Sequence, residues 1–261
     1  MIHKGMNDLA LKSLLFVWRD KKSSLYFHVG TLTYNGAKYV FEYTHQSDAA
    51  RKIYDAMKHG YRLHPAFVDI KKKYESSELF PAFNRRIPSN DRVDYLKILE
   101  DLNLPLDADR MDILRKTRGI ISGDPYFFEE SLRLNEKDNT LSTHFYINGM
   151  RYRNLPDNWS DLVRIGDELS PVQEKENKYD SNAIRLYTAE GLWLGYIPGI
   201  YSQAISALME RHVEINIRID EKRPTYAPQW WLRVSLEASL DSEKGNQFNV
   251  VELGDLVFYA V

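Results

Sequence analysis

The chain has 261 residues, 43% of them hydrophobic, 28% charged and none of them cysteine, with 35 Lys+Arg against 37 Asp+Glu. That is apolar material for one large or two modest domains, and the near-zero balance speaks against holding nucleic acid or an anionic membrane by bulk positive charge. The missing cysteines exclude disulfides, thiolate metal sites, Cys nucleophiles and iron–sulfur clusters; no apolar run approaches the roughly 20 residues that span a bilayer, and the N-terminal MIHKGMNDLALKSLLFVWRD lacks a small-residue cleavage site, so a soluble, cytoplasmic protein without a membrane partner is expected.

The first part reads as a sheet. Leu14 to Trp18, Tyr26 to Thr33 and Lys38 to Tyr43 are apolar, aromatic and β-branched runs, the last two joined across Tyr34-Asn35-Gly36-Ala37, where Asn-Gly tolerates the positive φ of a tight hairpin. Helical signals follow. Ser47 is placed to cap a helix through Met57 before Gly60, and Ser89-Asn90 precede Asp91 and apolar residues at 93, 96, 99 and 102. Asp109 opens a third helix that ends in Arg115, Lys116 and Arg118 before Gly119. Residues 1–138 are expected to form an α+β domain with a small antiparallel sheet and helices after it.

The polar stretch Leu134 to Thr140 is the expected boundary, and residues 139–261 the second domain. Runs at 144–152, 167–174, 183–187, 192–197, 213–220 and 230–237 look β-like, and only Ile200 to Arg211 has helical spacing. This half is expected to be a mostly antiparallel, barrel-like β-domain with one helix, giving an α+β chain overall.

Catalytic motifs are mostly absent: there is no GxxxxGK[ST], GxSxG, HExxH or GxGxxG after a strand, and the histidines are scattered. No cofactor or metal is expected, and no enzymatic activity. Asp107, Asp109 and Asp112 resemble a carboxylate cluster, but Asp109 sits where a helix N-terminus favours negative charge. Lys71 to Lys73, Arg85-Arg86 and Arg115 to Arg118 are expected to be solvated surface, and Trp230-Trp231 to place one ring in a core and one at its rim.

A more specific set lies in the second half. Gly149-Met150-Arg151-Tyr152 is followed by Gly166-Asp167-Glu168-Leu169, by Asn177-Lys178-Tyr179-Asp180-Ser181-Asn182-Ala183-Ile184, and by Gly195-Tyr196-Ile197-Pro198 before a helix. Asn177, Asp180 and Asn182 suit a loop that bonds its own backbone, while Arg151, Tyr152 and Tyr179 add a guanidinium and π-faces able to stack a base. In these residues the sequence resembles the HIRAN domain family over roughly 142–221. The resemblance implies a small β-barrel-like module that binds single-stranded DNA and captures its 3′ end. Arg151 and Tyr152 would line the pocket from the first strand, Asn177, Tyr179 and Asp180 would face them from the loop, with Asn182 a further member of the binding set, and Asp180 would accept a hydrogen bond from the terminal hydroxyl. Tyr196 is counted with these DNA-binding residues, although it takes the place of a different polar ring in animal members, and Gly199 leaves no cation after Pro198.

Residues 1–141 carry 23 Lys+Arg and 20 Asp+Glu, residues 142–261 carry 12 and 17, so the DNA-like motif lies in the acidic half and broad coating of DNA is disfavoured. In the first half, Val29-Gly30-Thr31-Leu32, the Asn35-Gly36 hairpin, Tyr39 to Tyr43, Phe80-Pro81-Ala82-Phe83 and Arg85-Arg86-Ile87-Pro88 resemble the N-terminal subdomain of HipA-type toxin kinases, whose kinase core is missing here. That resemblance implies an antitoxin or regulatory partner of a HipA-like kinase as the alternative to a DNA-binding protein.

Overall fold

The computed structural model describes residues 11–240 apart from 48 and 136, together with the backbone of the strand Val257–Ala260. The N-terminal stretch through residue 10, Glu136 within the polar segment and most of the end of the second domain lie outside the described residues. The chain divides into two compact units between Ser131 and Leu132.

In the first unit, strands β1 (Lys12–Arg19), β2 (Tyr26–Tyr34), β3 (Tyr39–Tyr43), β4 (Tyr74–Ser76) and β5 (Tyr126–Glu130) form one antiparallel sheet in the order β4-β3-β2-β1-β5. The expected hairpin is present, as a loop between the paired Tyr34 and Tyr39 in which Gly36 takes φ 87°. The Asn35 side chain closes it, accepting from the backbone of Ala37 and Lys38 at 3.0 and 2.8 Å. One face of the sheet buries Phe16, Phe41, Phe67, Phe83 and Phe128, with centroids of neighbouring rings 4.3–5.7 Å apart. Gly30 is glycine because a Cβ there would lie 2.6 Å from the Phe41 ring.

The helices are shorter than the sequence suggests. α1 (Ile53–Lys58) starts well after Ser47, α2 (Pro81–Asn84) is one turn, and α3 (Tyr95–Asp101) buries Leu99 while Val93 and Leu96 face solvent. α4 (Arg110–Thr117) has the expected cap. Asp109 accepts from the backbone of Met111 and Asp112, and Asp112 accepts from that of Asp109 at 3.2 Å. Lys12 then donates to both carboxylates at 2.9 and 2.7 Å, so two of the three acids of the expected carboxylate cluster are taken up by the cap and by an ammonium. Among the described residues no group of acids and histidines is placed to hold a metal ion.

The basic runs divide in a way the sequence does not suggest. Lys71 to Lys73 are exposed, as expected, but Arg86 and Arg118 are buried. Arg86 donates to the carbonyls of Gly119 and Tyr126 and to Asp124, and Arg118 pairs with buried Glu129. They hold the chain around Gly119 and β5, and offer no phosphate-binding face.

In the second unit, β6 (Leu132–Asn135) and β7 (Thr140–Tyr146) form a hairpin, so the polar stretch expected to part the domains is the turn between them. With β11 (Glu214–Lys222), β12 (Leu232–Ser239) and β13 (Val257–Ala260) they make a sheet in the order β11-β12-β7-β6-β13. A second sheet, β10-β9-β8, contains β8 (Ser170–Gln173), β9 (Ile184–Tyr187) and β10 (Trp193–Tyr196). Two single bridges join the sheets: Asn148, just past β7, pairs with Tyr196, and Glu168, just before β8, pairs with Arg218 in β11. The result is barrel-like without being one continuous ladder. The expected helix is α5 (Gly199–Glu210), which buries Ile200, Tyr201, Ala204, Ile205 and Leu208 and lays Tyr201 on Phe145 with centroids 5.6 Å apart. Trp230 and Trp231 are both half-buried, each against another ring, Tyr146 and Trp159, so neither is the core ring expected of one of them. Among the described residues no helix is long and apolar enough to cross a membrane.

Candidate functional site

Arg151 and Tyr152 do not lie on the first strand. β7 ends at Tyr146, Gly149 takes φ 78°, and Met150–Tyr152 form a single 3₁₀ turn. The left-handed glycine reverses the chain, Met150 goes into the core, and Arg151 and Tyr152 are left outside. The Arg151 guanidinium lies 4.8 Å from the centroid of the Tyr152 ring, which is 64% exposed.

The second group sits in the loop from β8 to β9. The Asn177 side-chain oxygen accepts from the backbone of Tyr179 and Asp180 at 3.0 and 3.1 Å, and Asp180 accepts from the backbone of Asn182 at 3.0 Å. Asn177, Asp180 and Asn182 therefore build the turn, and Tyr179, 78% exposed, is its projecting ring. Tyr196 stands between the two groups. Its backbone exchanges two 2.8 Å hydrogen bonds with Asn148, immediately before the 3₁₀ turn, and its hydroxyl donates to Glu174 at 2.8 Å.

Glu174 links the parts. One oxygen accepts from Tyr196 and from the Asn177 amide, the latter at 2.9 Å, and the other takes the Arg185 guanidinium. The carboxyl is held down to about 2, first by the bond from Arg185 and then by those from Asn177 and Tyr196. The Tyr196 hydroxyl is raised, chiefly by burial and then by its bond to that carboxylate. The Tyr196 ring thus acts as a spacer that positions the 177–182 loop.

A depressed carboxyl contributes its stability in full above its ordinary value of 4.5 and loses it as pH falls towards about 2. The clamp is therefore intact throughout the neutral range. An NMR titration should place the Glu174 carboxyl midpoint near 2 with the amides of 177–182 unchanged from about pH 5 to 8. A midpoint near 4.5 would show that the clamp does not form.

Four residues of this surface belong to no motif in the sequence: Arg153, Glu174, Arg185 and Trp193. Ile184 and Leu186 of β9 are buried, so Arg185 and Tyr187 point outward. Trp193 and Tyr196, an odd number of residues apart, should face opposite ways, but an irregularity between Trp193 and Gly195 pairs Trp193 with Tyr187 and Tyr196 with Arg185. All four therefore share the outer face. Over the Trp193 ring lie the guanidinium groups of Arg153 and Arg185, 4.0 and 4.4 Å from its centroid.

This geometry combines exposed rings, guanidinium groups and a turn ordered by its own carboxamide. Residues 141–243 match the HIRAN domain model. The matched span contains both turns, the Glu174 clamp and the outer face of β8 to β10. Two solved structures show similarity to parts of the chain: the HIRAN domain of human HLTF, at 16% identity over 47% of this chain and 92% of that one with a TM-score of 0.34, and a protein from Lactobacillus plantarum, at 22% identity over 38% and 96% with a TM-score of 0.32. No curated protein matches the chain. The HipA-like resemblance of the first half finds no support in these likenesses.

Proposed function

We propose that the protein binds DNA without catalysing a reaction on it, and that its second unit takes a single strand or a 3′ end at Arg151, Tyr152, Asn177, Tyr179, Asp180 and Asn182. The observation that carries this reading is the exposure of Tyr152 and Tyr179 on turns fixed from both sides of Tyr196. Tyrosines held on ordered backbone and kept out of the core lose little freedom when a base stacks on them. Arg151, already aligned with the Tyr152 ring, supplies a cation beside the stacked base. The HIRAN match over these residues supports the same reading. A non-catalytic role is supported by Asp109 and Asp112, which are committed to a helix cap and to Lys12.

Fluorescence anisotropy with labelled single-stranded oligonucleotides tests the reading. Stacking is worth about 1–3 kcal/mol per base, so Tyr152→Ala and Tyr179→Ala should each weaken binding by about 5- to 150-fold. Parental affinity in both variants would overturn the assignment.

A further inference from the structure

Charge on the outer face of β8 to β10 is unbalanced. Two guanidinium groups share the Trp193 ring, and the carboxylate beside them, Glu174, pairs with Arg185. That carboxylate binds Arg185 and is further engaged by Asn177 and Tyr196. Among the described residues no carboxylate pairs with Arg153. Its Nε is buried without a hydrogen-bond partner, and its guanidinium is held by the rings of Trp193 and, at 5.5 Å, Tyr196. A guanidinium fixed on aromatic surface beside a second cation is suited to an anion that offers two oxygens to its paired N–H donors, as a phosphodiester does. Arg153 is also the residue immediately after Tyr152, so an anion there would adjoin a base stacked on that ring.

We propose that Arg153, positioned by Trp193, receives the phosphodiester next to the captured terminal nucleotide; this rests on the reading of Tyr152 and Tyr179 as the nucleotide site. Glu174 keeps Arg185 out of competition for the phosphate, so the contact belongs to Arg153. An acidic module thereby gains a phosphate contact through one placed cation, without a basic surface.

The test is a salt titration of oligonucleotide binding by the full chain, with free and 3′-blocked single strands. Each phosphate contact on a single strand adds about 0.7 to the slope of log affinity against log salt. Arg153→Gln should lower affinity and reduce the slope by about that amount, while preference for a free 3′ end persists. Arg153→Lys, which keeps the charge, should restore the slope. If the parent prefers free ends and Arg153→Gln leaves affinity and slope unchanged, the phosphate assignment is wrong and the nucleotide site stands. If Arg153→Lys behaves like Arg153→Gln, the residue acts through packing and the assignment is again wrong. If the parent shows no end preference, the nucleotide site falls and the phosphate contact with it.

Discussion

Arg86→Ala is expected to cost about 3–5 kcal/mol in the stability of the first unit, whereas Arg85→Ala, one residue earlier in the chain, should change it by less than about 0.5 kcal/mol. The Arg86 side chain is 1% exposed, and its guanidinium donates at 2.9 and 3.1 Å to two carbonyls and at 2.6 Å to Asp124. It also lies 5.8 Å from the centroid of the Tyr126 ring. Truncation leaves a partly buried carboxylate and two carbonyls without their donor, with a cavity among aromatic rings. Arg85 is exposed and carries none of this. A whole domain is commonly stable by only about 5–15 kcal/mol, so the alanine variant should show a large drop in midpoint in urea or on heating. Equal effects of the two substitutions would refute the structural role of Arg86.

Gly195→Ala should damage the second unit where its fold and site meet. A Cβ at this position would stand 2.4 Å from the Asn148 carbonyl oxygen and 2.8 Å from the Ile147 side chain. Neither can yield freely, because Ile147 is buried and the Asn148 carbonyl accepts from Tyr196 at 2.8 Å. Overpacking of this kind costs about 1–3 kcal/mol. The consequence for binding should be larger than that for folding. The bridge between Asn148 and Tyr196 sets the turn that carries Arg151 and Tyr152, and Tyr196 in turn holds Glu174 and the 177–182 loop. The variant is expected to retain most of its β-structure by circular dichroism and to lose oligonucleotide affinity by more than 10-fold, as about 1.4 kcal/mol corresponds to each factor of ten. Full affinity in a folded Gly195→Ala protein would show that the bridge does not position the site.

The parts of the fold that could be read from the sequence are those written in local chemistry. Asn35-Gly36 marks its own hairpin, Asp109 and Asp112 cap their own helix, and the apolar spacing of α5 needs no distant partner. Where distant partners decide, local sequence carries no signal. Tyr126 to Glu130 ends in two glutamates that look like surface, yet both are buried and Glu129 meets Arg118. The helix at 91–102 has its apolar residues at the expected spacing, but the buried face runs through Leu99 and the partly buried Tyr95 and Leu102 and leaves Val93 exposed.

The site divides in the same way. Asn177, Tyr179, Asp180 and Asn182 are legible because their spacing makes a self-bonded turn, and Arg151 and Tyr152 are legible as a cation and a ring after a glycine. The 3₁₀ turn was hidden, since the run from 144 to 152 has strand-like composition and the left-handed Gly149 cannot be told in advance from a glycine within a strand. Trp193 and Arg185 were hidden by the irregularity at residues 193–195, which breaks the two-residue alternation. Glu174 stands at the end of the β-like run 167–174 with nothing local to mark it, since its partners Tyr196 and Asn177 are brought to it only by the fold.

The measurement that bears most directly on the account is equilibrium binding of the full chain to two single-stranded oligonucleotides of one sequence, one ending in a free 3′ hydroxyl and the other in a 3′ phosphate. The free end should bind at least about 10-fold more tightly, as loss of one hydrogen bond to a charged group costs about 1.5–3 kcal/mol, and Asp180→Ala should erase the difference. Equal binding of both ends by the parent protein would contradict capture of a strand terminus at this site.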